Sequence, residues 1–198
     1  FYFQVDNPLV EIADPAFIGV HVQRDADVAV KVCAKKSPGE KLGVVVHRGD
    51  SDAVVEYSEL TEEQKEARDE AGELRFKFGS VAIHTFAREF LEQEAARRLP
   101  MHLAHKKIPS CDEGGKTVAP DAPNGYKFEK FIFDTIPDAD RSVNLEFARE
   151  EEFSPVKNAE GDDSPATARR DMTCKWARRL EACGVDVPRD DRGVPAVS

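Results

Sequence analysis

An acid and an amine each follow a strand-like run, at positions where ligands commonly bind. Asp6 comes directly after the aromatic and β-branched residues 1–5, and the Asn-Pro pair at 7–8 prevents that strand from continuing. Lys157 lies in a second such loop, behind the strand-like residues 143–147. Open α/β sheets bind ligands beyond the carboxyl ends of their strands, where a carboxylate can hold a cation and an amine can neutralise an anion. We therefore expect Asp6 to be functional.

Other potential ligands in the sequence are better explained as surface or packed side chains. His102 and His105 have helical spacing but no third metal ligand nearby. The acidic pairs at 162–163 and 190–191 lack the spacing of a calcium-binding loop. The four cysteines show no CxxC spacing, so the sequence predicts reduced, structural thiols rather than a disulfide framework or a zinc knuckle.

The composition is that of a globular protein. The 198 residues are 40% hydrophobic and 33% charged, which is typical of one compact domain. A net charge of −10 argues against a general nucleic-acid binder, so an anionic ligand would need a local cationic pocket. No apolar run approaches the roughly 20 residues of a membrane-spanning helix, and the N-terminus does not resemble a secretion signal. We expect a cytoplasmic protein without a nucleic-acid, membrane or evident protein partner.

Helix and strand patterns alternate along the chain, which predicts an α/β layered domain. The segments 15–24 and 165–183 each begin with a proline that follows a capping residue, Asp14 or Ser164, as helices often do. β-Branched runs separated by turn residues predict a small cluster of strands, at 28–34, 42–47 and 53–57.

Further helices are predicted at 61–69, 85–99 and 126–136. In the last helix of the chain, Met172, Trp176 and Leu180 recur every four residues and predict its buried face. Residues 110–125 are rich in glycine and proline, which is typical of a surface loop or mobile flap.

Several motifs resemble those of eukaryotic-type UDP-N-acetylglucosamine pyrophosphorylases, a UDP-sugar pyrophosphorylase family. The strongest are QVDNPLV at 4–10, VVEYSE at 54–59 and EFSPVKN at 152–158. Shorter ones occur in the same order, namely KKIP at 106–109, PNGYKFEKF at 123–131 and ATAR at 166–169. The resemblance covers nearly the whole chain. It implies a Rossmann-like, GT-A-like nucleotidyltransferase fold, with a mixed sheet flanked by helices and a small additional β cluster.

The resemblance implies uridylyl transfer, in which a sugar 1-phosphate oxygen attacks the α-phosphorus of UTP and pyrophosphate leaves. Because this nucleophile is already anionic, the enzyme mainly positions the substrates and neutralises charge. In the family pattern Asp6 meets UTP and its Mg²⁺, Lys127 contacts the nucleotide phosphates and Lys157 lies at the sugar phosphate. Without the resemblance, Asp6 could simply cap a turn and both lysines could be solvated surface residues.

The resemblance also implies a sugar site. Gly43, Glu56 and Tyr57 match the sugar-binding positions, because glycine admits the ring and a carboxylate can accept from two hydroxyls. Phe131 and Phe133 match the aromatic residues around the N-acyl group. By themselves, Glu56 would be interpreted as a solvated strand residue and Phe131 as part of a helix core.

The chain departs from the family in two respects. Ser80, in FGSVAIH, stands where the family has an asparagine that binds the sugar. The shorter hydroxyl has one donor, so either water fills the gap or the preferred sugar is another, such as glucose or N-acetylgalactosamine. The family's glycine-rich triphosphate loop is not found in the sequence.

From the missing loop we expect residues 1–198 to be the central to C-terminal part of a catalytic domain, with the loop upstream of residue 1. Such a fragment would be inactive alone. The alternative is a binding or regulatory module that lacks the phosphate loop and holds a nucleotide sugar without turning it over.

Overall fold

A computed structural model describes residues 1–196 and is built on one five-stranded mixed sheet. Along the chain the elements are α1 (Pro15–Gln23), β1 (Val28–Ala34), β2 (Val44–Arg48), β3 (Ser51–Val55), α2 (Glu62–Glu66), β4 (Phe78–Phe86), α3 (Arg88–Glu94), β5 (His102–Lys106), β6 (Ser110–Cys111), β7 (Thr117–Val118), β8 (Gly125–Glu129), a 3₁₀ helix (Ile132–Asp138), β9 (Ser142–Glu146), α4 (Arg149–Glu152) and α5 (Pro165–Ala182). The strand order is β3-β2-β4-β1-β9. β1 and β9 are parallel and the other pairs antiparallel, as expected for a mixed sheet.

β1 lies inside the sheet because its side chains are suited to burial on both faces. Val28 and Val30 pack on one face, in the cluster that includes Ile136 of the 3₁₀ helix. Ala29 packs on the other face, with Phe17 of α1. The sheet therefore has a hydrophobic layer on each side, which is the layered α/β arrangement that the sequence predicts.

The two helices predicted from their caps are confirmed. The side chain of Asp14 accepts a hydrogen bond from the Ala16 amide at the start of α1, and proline follows it. Ser164 and Thr167 form a reciprocal capping box at the start of α5. Each cap satisfies backbone N–H groups that have no partner inside the helix, so these start points are encoded locally.

The predicted helix at 126–136 is wrong, because residues 125–129 form strand β8 and a 3₁₀ helix follows. Tyr126 and Phe128 alternate with charged residues, which is the period of a strand. Residues 102–106 provide the antiparallel partner, and together β5 and β8 form an exposed two-stranded ribbon. Pro137 then lies within the last turn, where it cannot donate a helical hydrogen bond.

Several other segments differ in extent from the prediction. The helix expected at 85–99 is shortened to α3, because β4 extends to Phe86, and the helix expected at 61–69 is reduced to α2. The N-terminal run does not form a regular strand, since only Tyr2 makes a β-bridge, to His84, and Asp6 lies in a turn. The loop at 110–125 contains the small β6–β7 hairpin.

The predicted buried face of α5 is also wrong. Trp176 and Leu180 are 52% and 46% exposed, whereas the buried residues of the helix are Ala168, Lys175 and Ala177. Lys175 is buried because its ammonium donates to the carbonyl of Leu9 at 2.9 Å. The packed face of α5 therefore consists of Lys175, whose ammonium has a partner, and the small residues Ala168 and Ala177.

Between residues 1 and 196, no helix combines the length and apolarity needed to cross a membrane.

Candidate functional site

One cavity of about 290 Å³ brings together most of the site residues predicted from the sequence. The predicted residues that line it are Asp6, Gly43, Glu56, Tyr57, Ser80, Phe131, Phe133 and Lys157. They come from six separate stretches of the chain, so only the fold could bring them together. The cavity is also lined by residues that we had not predicted, namely Gln4, Asn7, Lys41, Leu42, Val81, Ala82, Phe153 and Pro155.

Two loops carry the acid and the amine at one side of this cavity. Asp6 is half-buried, and its carbonyl accepts a hydrogen bond from the Val156 amide at 2.7 Å. The next residue, Lys157, is exposed, and its own amide donates to the Asp163 carbonyl at 2.7 Å. The backbone contact between the loops therefore places a carboxylate and an ammonium on the same cavity, as the sequence predicts.

Gly43 leaves room for the carboxylate of Glu56. A Cβ atom at Gly43 would lie 3.0 Å from Val54 Cγ1 and 3.3 Å from Glu56 Oε1, both tighter than ordinary contacts. The Gly43 carbonyl also accepts from the Ser80 amide at 2.8 Å, which joins the start of β2 to β4. The absence of a side chain at this position lets three lining residues approach each other closely.

Glu56 is an acid in an unfavourable environment. Burial raises the pKa of its carboxyl, and the negative charge of nearby Glu59 raises it further. Within residues 1–196, no protein group donates a hydrogen bond to this carboxylate. A perturbed acid facing a cavity is typical of a functional group that a ligand completes.

We expect Glu56→Gln to stabilise the protein at pH 7 by a few degrees in melting temperature. The raised pKa means that folding opposes ionisation of Glu56, so the penalty is present at neutral pH and disappears as pH falls below its ordinary value of 4.5. Thermal melts at pH 7 and pH 4 test this prediction. Glu73→Gln, at an exposed carboxylate, is the control, and an equal gain at both pH values would contradict the argument.

An irregularity in β4 shapes the floor of the cavity. Ala82 has a φ of 58°, in the left-handed region, and the pairing with β1 shifts register between Val30 and Val32. Ser80, Val81 and Ala82 consequently all line the cavity, although side chains of a regular strand point to opposite faces in turn. Left-handed backbone costs an alanine roughly 1 kcal/mol, and such strain is often found at functional sites.

An aromatic wall, made by Phe131 and Phe133, forms another part of the lining. The rings of Phe131 and Phe133 are stacked, with centroids 4.7 Å apart and planes 12° from parallel. The His102 ring packs against Phe131, with centroids 5.0 Å apart, and its nitrogens contact the carboxylates of Glu59 and Asp134. Burial lowers the pKa of His102, but the two carboxylates outweigh burial and raise it overall. The His102 ring that packs on this wall is thus fixed by contacts with two carboxylates.

Lys127 does not line the cavity. It lies on the exposed β5–β8 ribbon, opposite Ala104, because residues 125–129 pair as a strand instead of continuing as a helix. Its predicted contact with nucleotide phosphates therefore has no support from its position. Lys41, two residues before Gly43, is instead the second lysine that lines the cavity.

The mixed sheet carries one cavity in which an acid, two lysines and an aromatic wall meet, the layout of a ligand-binding α/β domain. Residues 1–162 match the family described as UTP--glucose-1-phosphate uridylyltransferase, and the chain belongs to that family. It is 45% identical over 183 residues to UDP-N-acetylhexosamine pyrophosphorylase-like protein 1 of Xenopus tropicalis. The resemblance stated from the motifs is confirmed.

Two solved structures support the same fold. An Entamoeba histolytica protein assigned as a UDP-N-acetylglucosamine pyrophosphorylase matches with a TM-score of 0.83 and 34% identity, over 98% of this chain. The inhibitor-bound uridine diphosphate N-acetylglucosamine pyrophosphorylase of Trypanosoma brucei matches with a TM-score of 0.74 and 32% identity, over 91% of this chain. The chain spans 36% of the Xenopus relative, and 48% and 37% of these two proteins.

Proposed function

We propose that the natural protein containing this chain transfers a uridylyl group from UTP to a sugar 1-phosphate, which yields a UDP-sugar and pyrophosphate. N-Acetylhexosamine 1-phosphate is the proposed sugar substrate. The observation that carries the proposal is the gathering of Asp6, Lys157, Glu56 and the Phe131–Phe133 wall around one cavity. Membership of the uridylyltransferase family and the named activities of the relatives support it.

In this proposal the lining residues divide the work of binding. The Lys157 ammonium offsets the negative charge of the reacting phosphates, where a fixed cation is worth more than in water. The Glu56 carboxylate accepts hydrogen bonds from sugar hydroxyls, which would replace the protein partners that it lacks. The stacked rings of Phe131 and Phe133 provide an apolar surface for an N-acyl group. The result is a site that orients two anions for in-line attack.

We also propose that Asp6 holds a magnesium ion. Mg²⁺ prefers oxygen ligands and retains several waters, so one or two carboxylates together with substrate phosphates suffice. Across residues 1–196, no cluster of three or more His, Cys, Asp or Glu residues could hold a metal ion. This donor set fits a cation that is bound jointly with nucleotide phosphates and not one in a preformed protein cage. When bound, magnesium supplies charge neutralisation at the transferring group.

The experiment is an assay of the natural protein for pyrophosphate release from UTP with N-acetylglucosamine, N-acetylgalactosamine or glucose 1-phosphate. Turnover with one of these sugars supports the proposal. Thermal stabilisation by UDP-N-acetylglucosamine without any turnover would instead support a binding module. A protein that shows neither turnover nor thermal stabilisation would contradict both functions.

We expect Ser80→Asn to shift the sugar preference toward N-acetylhexosamine 1-phosphates by a few-fold, about 1 kcal/mol for one added hydrogen bond. An asparagine amide has two donors and reaches farther than the serine hydroxyl. The measurement is kcat/KM for the three sugar 1-phosphates in wild type and variant. Ser110→Asn, in the exposed hairpin, is the control. An identical preference profile would show that Ser80 does not contact the sugar.

A further inference from the structure

Asn7 joins the two loops of the cavity through its side chain. The residue is only 3% exposed. Its Nδ2 donates to the Glu152 carbonyl at 2.7 Å, and its Oδ1 accepts from the Ser154 amide at 3.1 Å. The partners lie 145 and 147 residues away in the chain. Both polar ends of the carboxamide are therefore occupied by backbone groups of the opposite loop.

These contacts lie next to the two charged groups of the site. Asp6 precedes Asn7 directly, and Lys157 is three residues beyond Ser154. The Val156 amide also donates to the Asp6 carbonyl, so three hydrogen bonds connect the loops within a few residues of both charges. A shift of the Asn7 side chain would thus change the distance between the Asp6 carboxylate and the Lys157 ammonium.

Side-chain contacts with other elements hold the opposite loop, which carries Glu152 and Ser154, in place. The Glu152 carboxylate contacts the ammonium of Lys31, which is 1% exposed in β1 and also bonds Asp14 at 2.7 Å. The Ser154 hydroxyl donates to Asp171 of α5 at 2.7 Å. Breaking one partner of a buried ion pair typically costs about 3–5 kcal/mol, so this anchor resists displacement. Asn7 therefore ties the Asp6 loop to a rigid part of the molecule.

We propose that Asn7 is a positioning residue, which sets the separation of the Asp6 carboxylate and the Lys157 ammonium. This inference rests on the proposed uridylyl transfer. A carboxamide suits the role because it offers a donor to one backbone group and an acceptor to the other. Its polar atoms are consumed by these bonds, so Asn7 acts through Lys157 and Asp6 and not on the substrate.

The test is a double-mutant cycle in the natural protein. Asn7→Ala is expected to lower kcat about 10²-fold, the loss typical of a misplacement near 1 Å, with KM changed much less. In a Lys157→Ala background, Asn7→Ala should cost less than about 3-fold more, because the separation that Asn7 sets no longer matters once the ammonium is gone. Fully multiplicative losses would overturn the proposal, since an independent or purely structural role gives that result.

Hydrogen exchange supplies a readout that does not depend on catalysis. Asn7→Ala should abolish the protection of the Ser154 and Val156 amides, whereas Asn144→Ala in β9, which removes a side-chain bond to Asp52 of β3, should leave it unchanged. Unchanged protection in Asn7→Ala overturns the proposal even if turnover falls. If wild-type protein shows no turnover, the proposed function fails, and the exchange result still decides whether Asn7 holds the loops.

The conservative variant Asn7→Asp distinguishes the loss of one hydrogen bond from general misfolding. Asn7→Asp retains the shape and the acceptor for the Ser154 amide, but an ionised carboxylate cannot donate to the Glu152 carbonyl. Asn7→Asp should therefore retain part of the Ser154 amide protection that Asn7→Ala loses. Equal protection of Asn7→Asp and Asn7→Ala would contradict the assigned hydrogen bonds.

Discussion

Lys157→Ala is expected to lower kcat/KM for UTP and sugar 1-phosphate by about 10²–10³-fold in the natural protein. The ammonium faces the cavity and would stabilise charge on the transferring phosphate, and loss of one such group commonly costs this much. Because the lost interaction is strongest in the transition state, most of the decrease should be in kcat and not in KM. Steady-state kinetics with both substrates varied measure the split. Lys157→Arg should recover part of the rate, since the charge is retained at a different distance.

Lys127→Ala is the matched control for this prediction. The same residue type is removed, but Lys127 lies on the exposed ribbon outside the cavity, so a loss below about 5-fold is expected. This ranking follows from position, whereas the motif resemblance alone gives the two lysines similar weight. Equal losses in both variants would contradict the placement of the phosphates beside Lys157. An unchanged rate in Lys157→Ala would remove this lysine from the site.

The parts of the fold that could be predicted are those whose signals are local. The caps of α1 and α5 lie within three residues of the helix start, and their bounds were predicted closely. The helix prediction at 126–136 was wrong because strand β8 forms by pairing with residues 102–106. Periodicity within the segment does not reveal that partner. The prediction of the buried face of α5 was wrong for a similar reason, because the hydrogen bond from Lys175 to the distant Leu9 carbonyl determines which side of the helix is packed.

The candidate site was predicted through motifs and not through physics alone. By composition Glu56 is an ordinary strand-end acid, and only the burial around it and the space left by Gly43 give it a distinct role. Asn7 belongs to the motif that contains Asp6, yet its side chain bonds backbone groups 145 and 147 residues distant. The only signals in the sequence were positions: Asn7 directly follows Asp6, and Lys41 lies two residues before Gly43.

His84 is a buried histidine that the proposed mechanism does not use. It is fully buried in β4, stacked on Tyr2 with ring centroids 5.7 Å apart and packed against Phe86. Neither ring nitrogen has a hydrogen-bond partner in the described part of the chain. Burial lowers the pKa of His84 to about 4, because an imidazolium there would lose its hydration without gaining a partner.

Folding is therefore expected to weaken by about 3 kcal/mol as pH falls from 6.5 to 4, through His84 alone. The unfolded chain binds a proton at His84 near its ordinary pKa of 6.5, whereas the folded chain resists it until about pH 4, so stability decreases with acid in that window. His84→Phe should remove this part of the pH dependence. Urea unfolding at pH 7 and pH 4.5, with wild type and variant compared at each pH, measures it.

At pH 7 the same substitution should be nearly neutral or stabilising, because it removes a buried imidazole whose donor is unsatisfied, a defect of about 1–3 kcal/mol, and retains an aromatic ring against Tyr2. His105→Phe is the matched control, since His105 is also stacked on a tyrosine, Tyr126, but lies in the exposed ribbon. It should retain the acid sensitivity of the wild type. If His84→Phe retains it as well, the loss of stability arises from other groups and folding does not lower the pKa of His84.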